Sequence, residues 1–187
     1  YIFSEAMNSM NITTSRSLAV VKTGEKVYRE EIHEGAILTR VMKSHIRIGT
    51  FEYARYFGSV DDVEKLMNYT IDRIYPDLKN STNKALDLLD RVMNVQIDLI
   101  VNWTRVGFIH GVMNTDNISI SGETFDYGPC AFMGVYNPST VFSSIDKDGR
   151  YSFENQPKIL KWNFARFAET LLPLIDEIEE NAIEIAT

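Results

Sequence analysis

Apolar residues recur every three or four positions from Ala85 to Val106, at Leu88, Val92, Val95, Leu99, Trp103 and Val106. That spacing predicts the longest helix of the chain, with its stripe turned to a core and Gly107 as its C-terminal stop. Leu160, Phe164, Phe167 and Leu171 form a second stripe, predicting a helix opened by Pro157 and interrupted by Pro173. Leu174 to Ala186 reads as an acidic amphipathic helix with Ile175, Ile178 and Ile185 inward. Phe51–Phe57 and Val60–Tyr75 read as shorter helices, broken near Gly58 and at Pro76, with Asp61 and Asp62 suiting a helix start. Asn80–Asn83 is a polar link, and Tyr1–Met10 reads as the end of a helix with Ile2, Ala6 and Met10 at fours. Between Met10 and Phe51 the pattern shortens. Ser17–Val21 and Lys26–Glu30 flank Thr23-Gly24 as a β-hairpin, and Gly35–Met42 begins as a third apolar strand. Strands early and helices late predict an α+β fold with a largely helical second part.

One polar run breaks the pattern. Phe108 to Gly128 carries His110, Asn114, Asp116, Asn117 and Asp126 among hydrophobic residues. Ile118–Phe125 is short enough to fold as a hairpin turning at Ser121-Gly122, which would set Asn117 beside Asp126. Mg²⁺ takes oxygen ligands and keeps several waters, so one amide oxygen and one carboxylate suffice if phosphate oxygens complete the shell. The plainer reading stands beside it: Asp116 and Asn117 cap a turn, and Asp126 pairs with an arginine. The order resembles that of protein kinases, where a His-Arg-Asp loop ending in Asn precedes Asp-Phe-Gly. Here His110 to Asn117 has the same length and Asp126-Tyr127-Gly128 follows, but Val112 stands where the kinase base belongs. Valine accepts no proton, which argues against ordinary kinase chemistry and leaves Asp116 as the nearby base. His110 reads as a structural residue bonding the loop backbone, and Cys130 as a buried thiol rather than a nucleophile.

Composition narrows the field. The 187 residues carry a net charge of −7, which argues against nucleic acid or an anionic membrane as the main partner. A single cysteine permits no internal disulfide and points to a reducing compartment. The densest cationic patch is Thr39–Arg47, with Arg40, Lys43, His45 and Arg47. It reads either as a solvated rim or as a phosphate clamp, and its conformation, helical or extended, decides whether Arg40 and Arg47 share a face. Asp146 to Gly149 opens like a calcium loop, but Pro157 stands at position twelve, so that reading fails. His33 and His45 have no ligand-like spacing.

Longer stretches resemble the selenoprotein O (SelO, YdiU) family: ITTSRSLAVV, VYREE, GAILTRVMKSHIRIGTFEY, HGVMNTDNISISGETFDYGPCAFM, and GRYSFENQP followed by WNFARFAETLLP. The resemblance runs from Tyr1 to about Pro173. It implies a protein-kinase-like fold, with the end of an N-lobe at about 1–48 and a helical C-lobe at about 49–187. It further implies a pseudokinase that moves AMP from ATP to Ser, Thr or Tyr hydroxyls of proteins, the nucleotide lying flipped relative to kinases. By that resemblance Asp116 is the proton acceptor, Asn117 and Asp126 hold Mg²⁺ (Mn²⁺ as an alternative), Asp126 also faces ATP, and Arg40 and Arg47 grip the phosphates. The partners implied are ATP and hydroxyl-bearing proteins. The compartment implied is the cytoplasm, or the mitochondrion for a eukaryotic source. Family members carry a glycine-rich segment and a nucleotide-contacting lysine upstream of the segment matching Tyr1. The chain is therefore expected to be a piece of a longer protein, with little transferase activity by itself. A silent nucleotide-binding or regulatory module and a conventional phosphotransferase are the competing functions.

Overall fold

The computed structural model describes all 187 residues. Its helices are α1 (Ile2–Ser9), α2 (Ile48–Phe57), α3 (Val60–Ile74), α4 (Lys84–Arg105), α5 (Gln156–Ile175) and α6 (Glu179–Ala186). Its strands are β1 (Arg16–Tyr28), β2 (Ile32–Val41), β3 (Phe108–Ile109) and β4 (Ala131–Phe132), paired antiparallel as β1–β2 and β3–β4. The α+β class and the early-strand, late-helix order are as expected.

α4 is the axis of the core. Leu88, Val92, Leu99 and Trp103 are buried, and α5 packs Leu160, Phe167 and Leu171 into the same cluster. Gly107 takes φ +67°, the left-handed conformation that a helix stop requires. α3 begins with a reciprocal cap, in which Ser59 Oγ accepts from the Asp62 N–H and the Asp62 carboxylate accepts from the Ser59 N–H.

Several local expectations are corrected. Thr23-Gly24 is not a hairpin turn. β1 runs through it, and the chain reverses at Arg29–Glu31 instead. Lys22 pairs with Ala36 and Lys26 with Glu34, so residues 23–25 bulge opposite Gly35. A Cβ on Gly35 would meet Thr23 Oγ1 at 2.6 Å, so glycine there admits the bulge. The long pairing satisfies more backbone groups than two short arms could.

Pro173 does not interrupt α5, which continues to Ile175; the break comes at Asp176–Ile178, where the Ile178 N–H donates to Asp176 Oδ1 at 2.8 Å. Pro173 forfeits only the N–H bond to the Glu169 carbonyl, and just two residues of α5 follow it. Ile175 is buried, but Ile178 and Ile185 are exposed, and α6 docks instead through Ala182. In α1, likewise, Met7 and Ser4 are buried while Ile2 is 79% exposed.

A further correction concerns Ile118–Phe125, whose arms do not pair with each other. The turn centres on Ile120-Ser121, one residue earlier than expected, with the Gly122 N–H donating to the Ser119 carbonyl at 3.1 Å. One arm bonds residues 46–48: the Ile48 N–H reaches the Ile118 carbonyl, and the Ile120 N–H the Ile46 carbonyl, both at 3.0 Å. The other bonds residues 13–15, the Ser15 N–H to the Thr124 carbonyl at 2.9 Å and the Thr124 N–H to the Thr13 carbonyl at 3.0 Å. The segment is therefore a buried strut joining the base of the β1–β2 ribbon to the helical core. The ribbon itself leaves Leu18, Val21, Tyr28, Ile32 and Ile37 exposed. No helix is long and apolar enough to cross a membrane.

Candidate functional site

The polar run is held from beneath by side chains of the helical core. Gln96 Nε2 donates to the Ser119 carbonyl at 2.6 Å, Tyr75 Oη to the Ile120 carbonyl at 2.7 Å, and Trp103 Nε1 to Thr124 Oγ1 at 2.9 Å. Each satisfies a group that burial would otherwise strand. Burial pushes the Tyr75 hydroxyl up to about 12, so it stays a donor. Glu123 is the residue sequence reasoning passed over. It is 6% exposed, yet its carboxylate accepts from the Lys43 N–H at 2.9 and 3.2 Å and from Ser121 Oγ at 2.6 Å. The available signal was a lone acid inside a run of small and apolar residues.

His110 has the structural role expected of it. It is fully buried, stacked on Trp103 with ring centroids 5.4 Å apart. Nε2 donates to the Phe125 carbonyl at 3.0 Å, and Nδ1 accepts from the Val112 N–H at 3.4 Å. A neutral ring protonated on Nε2 satisfies both contacts. Burial lowers its pKa below the usual histidine value, outweighing the Phe125 carbonyl and the charge of Asp126, which act the other way. Asn117 is tied to the same stretch, its Nδ2 donating to the Val112 carbonyl at 2.9 Å. Both ends of the Asn117–Asp126 interval are thus anchored to residues 110–112, through Asn117 itself and through Phe125. Asp126 takes φ +58°, a conformation Asn and Asp tolerate better than bulkier residues, and the Gly128 N–H closes on its carbonyl at 2.8 Å.

The two arginines approach from the other side. The stretch between β2 and α2 is neither helical nor extended throughout, which resolves the conformation left open by the sequence. Arg40 sits on β2 opposite Ser17, and Arg47 immediately precedes α2. Arg40 Nη1 lies 3.9 Å from Asp126 Oδ1, with its guanidinium 5.8 Å from the Phe125 ring centroid. Arg47 Nη1 donates to the Asp116 carbonyl at 3.4 Å. Asp116 is exposed at the short helical turn Thr115–Asn117, against the first turn of α2, where a Cβ on Gly49 would collide with its carboxylate. Arg40 therefore faces the Asp126 carboxylate, whereas Arg47 is held by the Asp116 backbone.

The donor chemistry fits a hard divalent cation carried by a phosphate ligand. Asn117 spends its Nδ2 on Val112, so its oxygen remains for a metal. Asp126 offers a carboxylate, and Asn114 Oδ1 is buried without a partner. Arg47 Nε is also buried without a partner, a donor left for an anion. Three or more His, Cys, Asp or Glu side chains do not converge anywhere, which leaves a site completed by ligand oxygens as the arrangement to weigh. Cys130 is half-buried with its thiol pushed up to about 11 by burial, consistent with an inert packing residue.

Residues 1–185 match the family described as protein adenylyltransferase SelO. The chain is 63% identical over 187 residues to a protein nucleotidyltransferase YdiU of Pelagibacter ubique (strain HTCC1062), covering all of this chain and 39% of that protein. It is 58% identical over 186 residues to the protein of the same name from Shouchella clausii (strain KSM-K16), covering 38% of it, and 60% identical over 186 residues to that of Anoxybacillus flavithermus (strain DSM 21510 / WK1), covering 39%. The chain thus spans less than two fifths of the length of these curated relatives.

Proposed function

The chain belongs to the protein adenylyltransferase SelO family, and from that premise we propose that the protein it forms part of transfers AMP from ATP to Ser, Thr or Tyr hydroxyls of other proteins, with Mg²⁺ as cofactor. The observation that carries this reading is the pair of buried polar atoms left without partners beside the two carboxylates: Arg47 Nε, a donor open to an anion, and Asn114 Oδ1, an acceptor open to a cation. With Arg40 Nη1 3.9 Å from Asp126 Oδ1 and Arg47 held on the Asp116 backbone carbonyl, the permanently charged forks suit a polyphosphate gripped close to the groups that act on it. On this reading residues 1–48 close an N-lobe and 49–187 form the C-lobe of a kinase-like fold.

Each residue then has a task. Arg40 and Arg47 turn their guanidinium groups to the phosphates, with Arg47 Nε finding its missing acceptor there. Asn117 Oδ1 and the Asp126 carboxylate hold the metal, which when bound neutralises phosphate charge and fixes the nucleotide's orientation. Asp116, exposed and close to Arg47, takes the proton of the acceptor hydroxyl. The acceptor oxygen bonds to the α-phosphorus, the bond from that phosphorus to the bridging oxygen breaks, and pyrophosphate leaves. Val112 in place of a kinase base is no loss when attack falls on the α-phosphate. The test is transfer by the full-length protein from ATP labelled at the α- or the γ-phosphate. Label on protein from the α-position alone supports the proposal. Label from the γ-position alone makes it a phosphotransferase, and binding of Mg-ATP with neither label makes it a silent module.

A further inference from the structure

Beside Asp116 lies a crevice of about 460 Å³. Its walls include Arg47, Glu52, Tyr53, Tyr56, Phe57 and Asp116. Tyr53, Tyr56 and Phe57 fall at i, i+3 and i+4 on α2 and so share a face. They are 68%, 63% and 78% exposed, while Ile48 and Phe51 on the same helix are fully buried. The rings of Tyr53 and Phe57 pack at 5.0 Å between centroids, forming a preassembled shelf. Three large aromatic rings in solvent on two turns of a short helix call for a function, because burying them would be favourable.

Position suggests the occupant. Arg40, Asn117 and Asp126 do not line this crevice, whereas Asp116 and Arg47 do. On the nucleotide-transfer reading, on which this inference rests, phosphates and metal occupy the Arg40–Asp126 side. The acceptor hydroxyl must still reach Asp116, and the crevice that Asp116 lines gives it a route, with Arg47 as the wall it shares with the phosphates. We propose that the α2 shelf is the acceptor subsite: Tyr53 and Phe57 seat an apolar side chain next to the modified residue in the substrate protein. Glu52 and Asp116 outnumber Arg47 at the same opening, and Arg47 is engaged by the phosphates on this reading, so an acidic neighbour is disfavoured there.

The test uses the full-length protein, Mg²⁺, ATP labelled at the α-phosphate, and an array of synthetic peptides with one central Ser, Thr or Tyr and varied flanks. Wild type should favour an aromatic or aliphatic residue within about two positions of the hydroxyl and discriminate against Asp and Glu there. The double variant Tyr53→Ala/Phe57→Ala should raise KM for the favoured peptide about tenfold, flatten the flank preference, and leave KM for ATP unchanged. Glu52→Gln should restore transfer to peptides with acidic flanks. Circular dichroism of the full-length variant checks that the fold survives. Unaltered peptide KM and preference in the double variant would overturn the subsite while leaving AMP transfer intact. A raised KM for ATP would overturn it too, by assigning the crevice to the nucleotide. If wild type binds Mg-ATP yet labels no peptide and no protein, the transfer reading fails first and the subsite with it.

Discussion

Replacing His110 by Phe should expose how the polar run is held in place. The imidazole is fully buried, and it serves two backbone groups: the Phe125 carbonyl at 3.0 Å and the Val112 N–H at 3.4 Å. Phenylalanine fills a similar volume and keeps the stacking on Trp103, but it satisfies neither group. A buried polar group left unpaired costs about 1–3 kcal/mol. The Phe125 carbonyl bears most of this, since the Val112 contact is long and the more hydrophobic ring returns part of the loss. The expected net cost near pH 7.5 is about 1–3 kcal/mol, or a fall in Tm of roughly 2–9 °C for a domain of this size. The pH dependence is the sharper test. Burial depresses the histidine pKa in the folded state. The unfolded chain therefore takes up a proton below about pH 6.5 that the folded chain refuses. More protons bound by the unfolded state means that stability is full above that pH and is lost as pH falls from there toward the lower folded pKa. The slope approaches about 1.4 kcal/mol per pH unit. His110→Phe lacks this proton, so the wild-type and variant stability curves should converge between about pH 6.5 and 5. Urea unfolding at half-unit pH steps measures both. Parallel curves across that window would refute the neutral, buried assignment and with it the tether to the Phe125 carbonyl.

Three further outcomes are expected. Asp126→Asn keeps a residue type that tolerates φ +58° but removes the charge. Mg²⁺-dependent ATP binding by the full-length protein should weaken at least tenfold by calorimetry, whereas loss of the half-exposed pair with Arg40 should change stability by less than about 1 kcal/mol; binding at wild-type strength removes Asp126 from the metal site. Glu123→Ala strands the Lys43 N–H and Ser121 Oγ, and chemical denaturation should report a loss of about 2–4 kcal/mol; a loss under about 0.5 kcal/mol would show that the carboxylate is not a structural hub. Gly122→Ala sets a Cβ 3.0 Å from the Val95 side chain at φ +73° and should cost about 1–3 kcal/mol in the same assay, while unchanged stability would show that the turn has room to relax.

The sequence by itself determined the elements whose cause is local. α4 and its glycine stop, the start of α3, and the core face of α5 all follow from periodicity and capping, because neighbours three or four residues apart decide them. It also marked out Phe108–Gly128, since His110, Asn117 and Asp126 crowd a stretch too apolar to be an ordinary loop, and its long motifs carried the family resemblance. Other features depended on partners far along the chain. Thr23-Gly24 is a bulge and not a turn because β2 supplies a longer ladder and Gly35 the space. Ile118–Phe125 is a strut and not a hairpin because residues 13–15 and 46–48 take its hydrogen bonds first. Ile178 and Ile185 lie outside because Ala182 allows α6 its closest approach. Only the tertiary structure brought Arg40 to Asp126 and Arg47 to Asp116, since pairings across some 70 to 90 residues are chosen by packing and hydrogen-bond satisfaction, which no local spacing encodes.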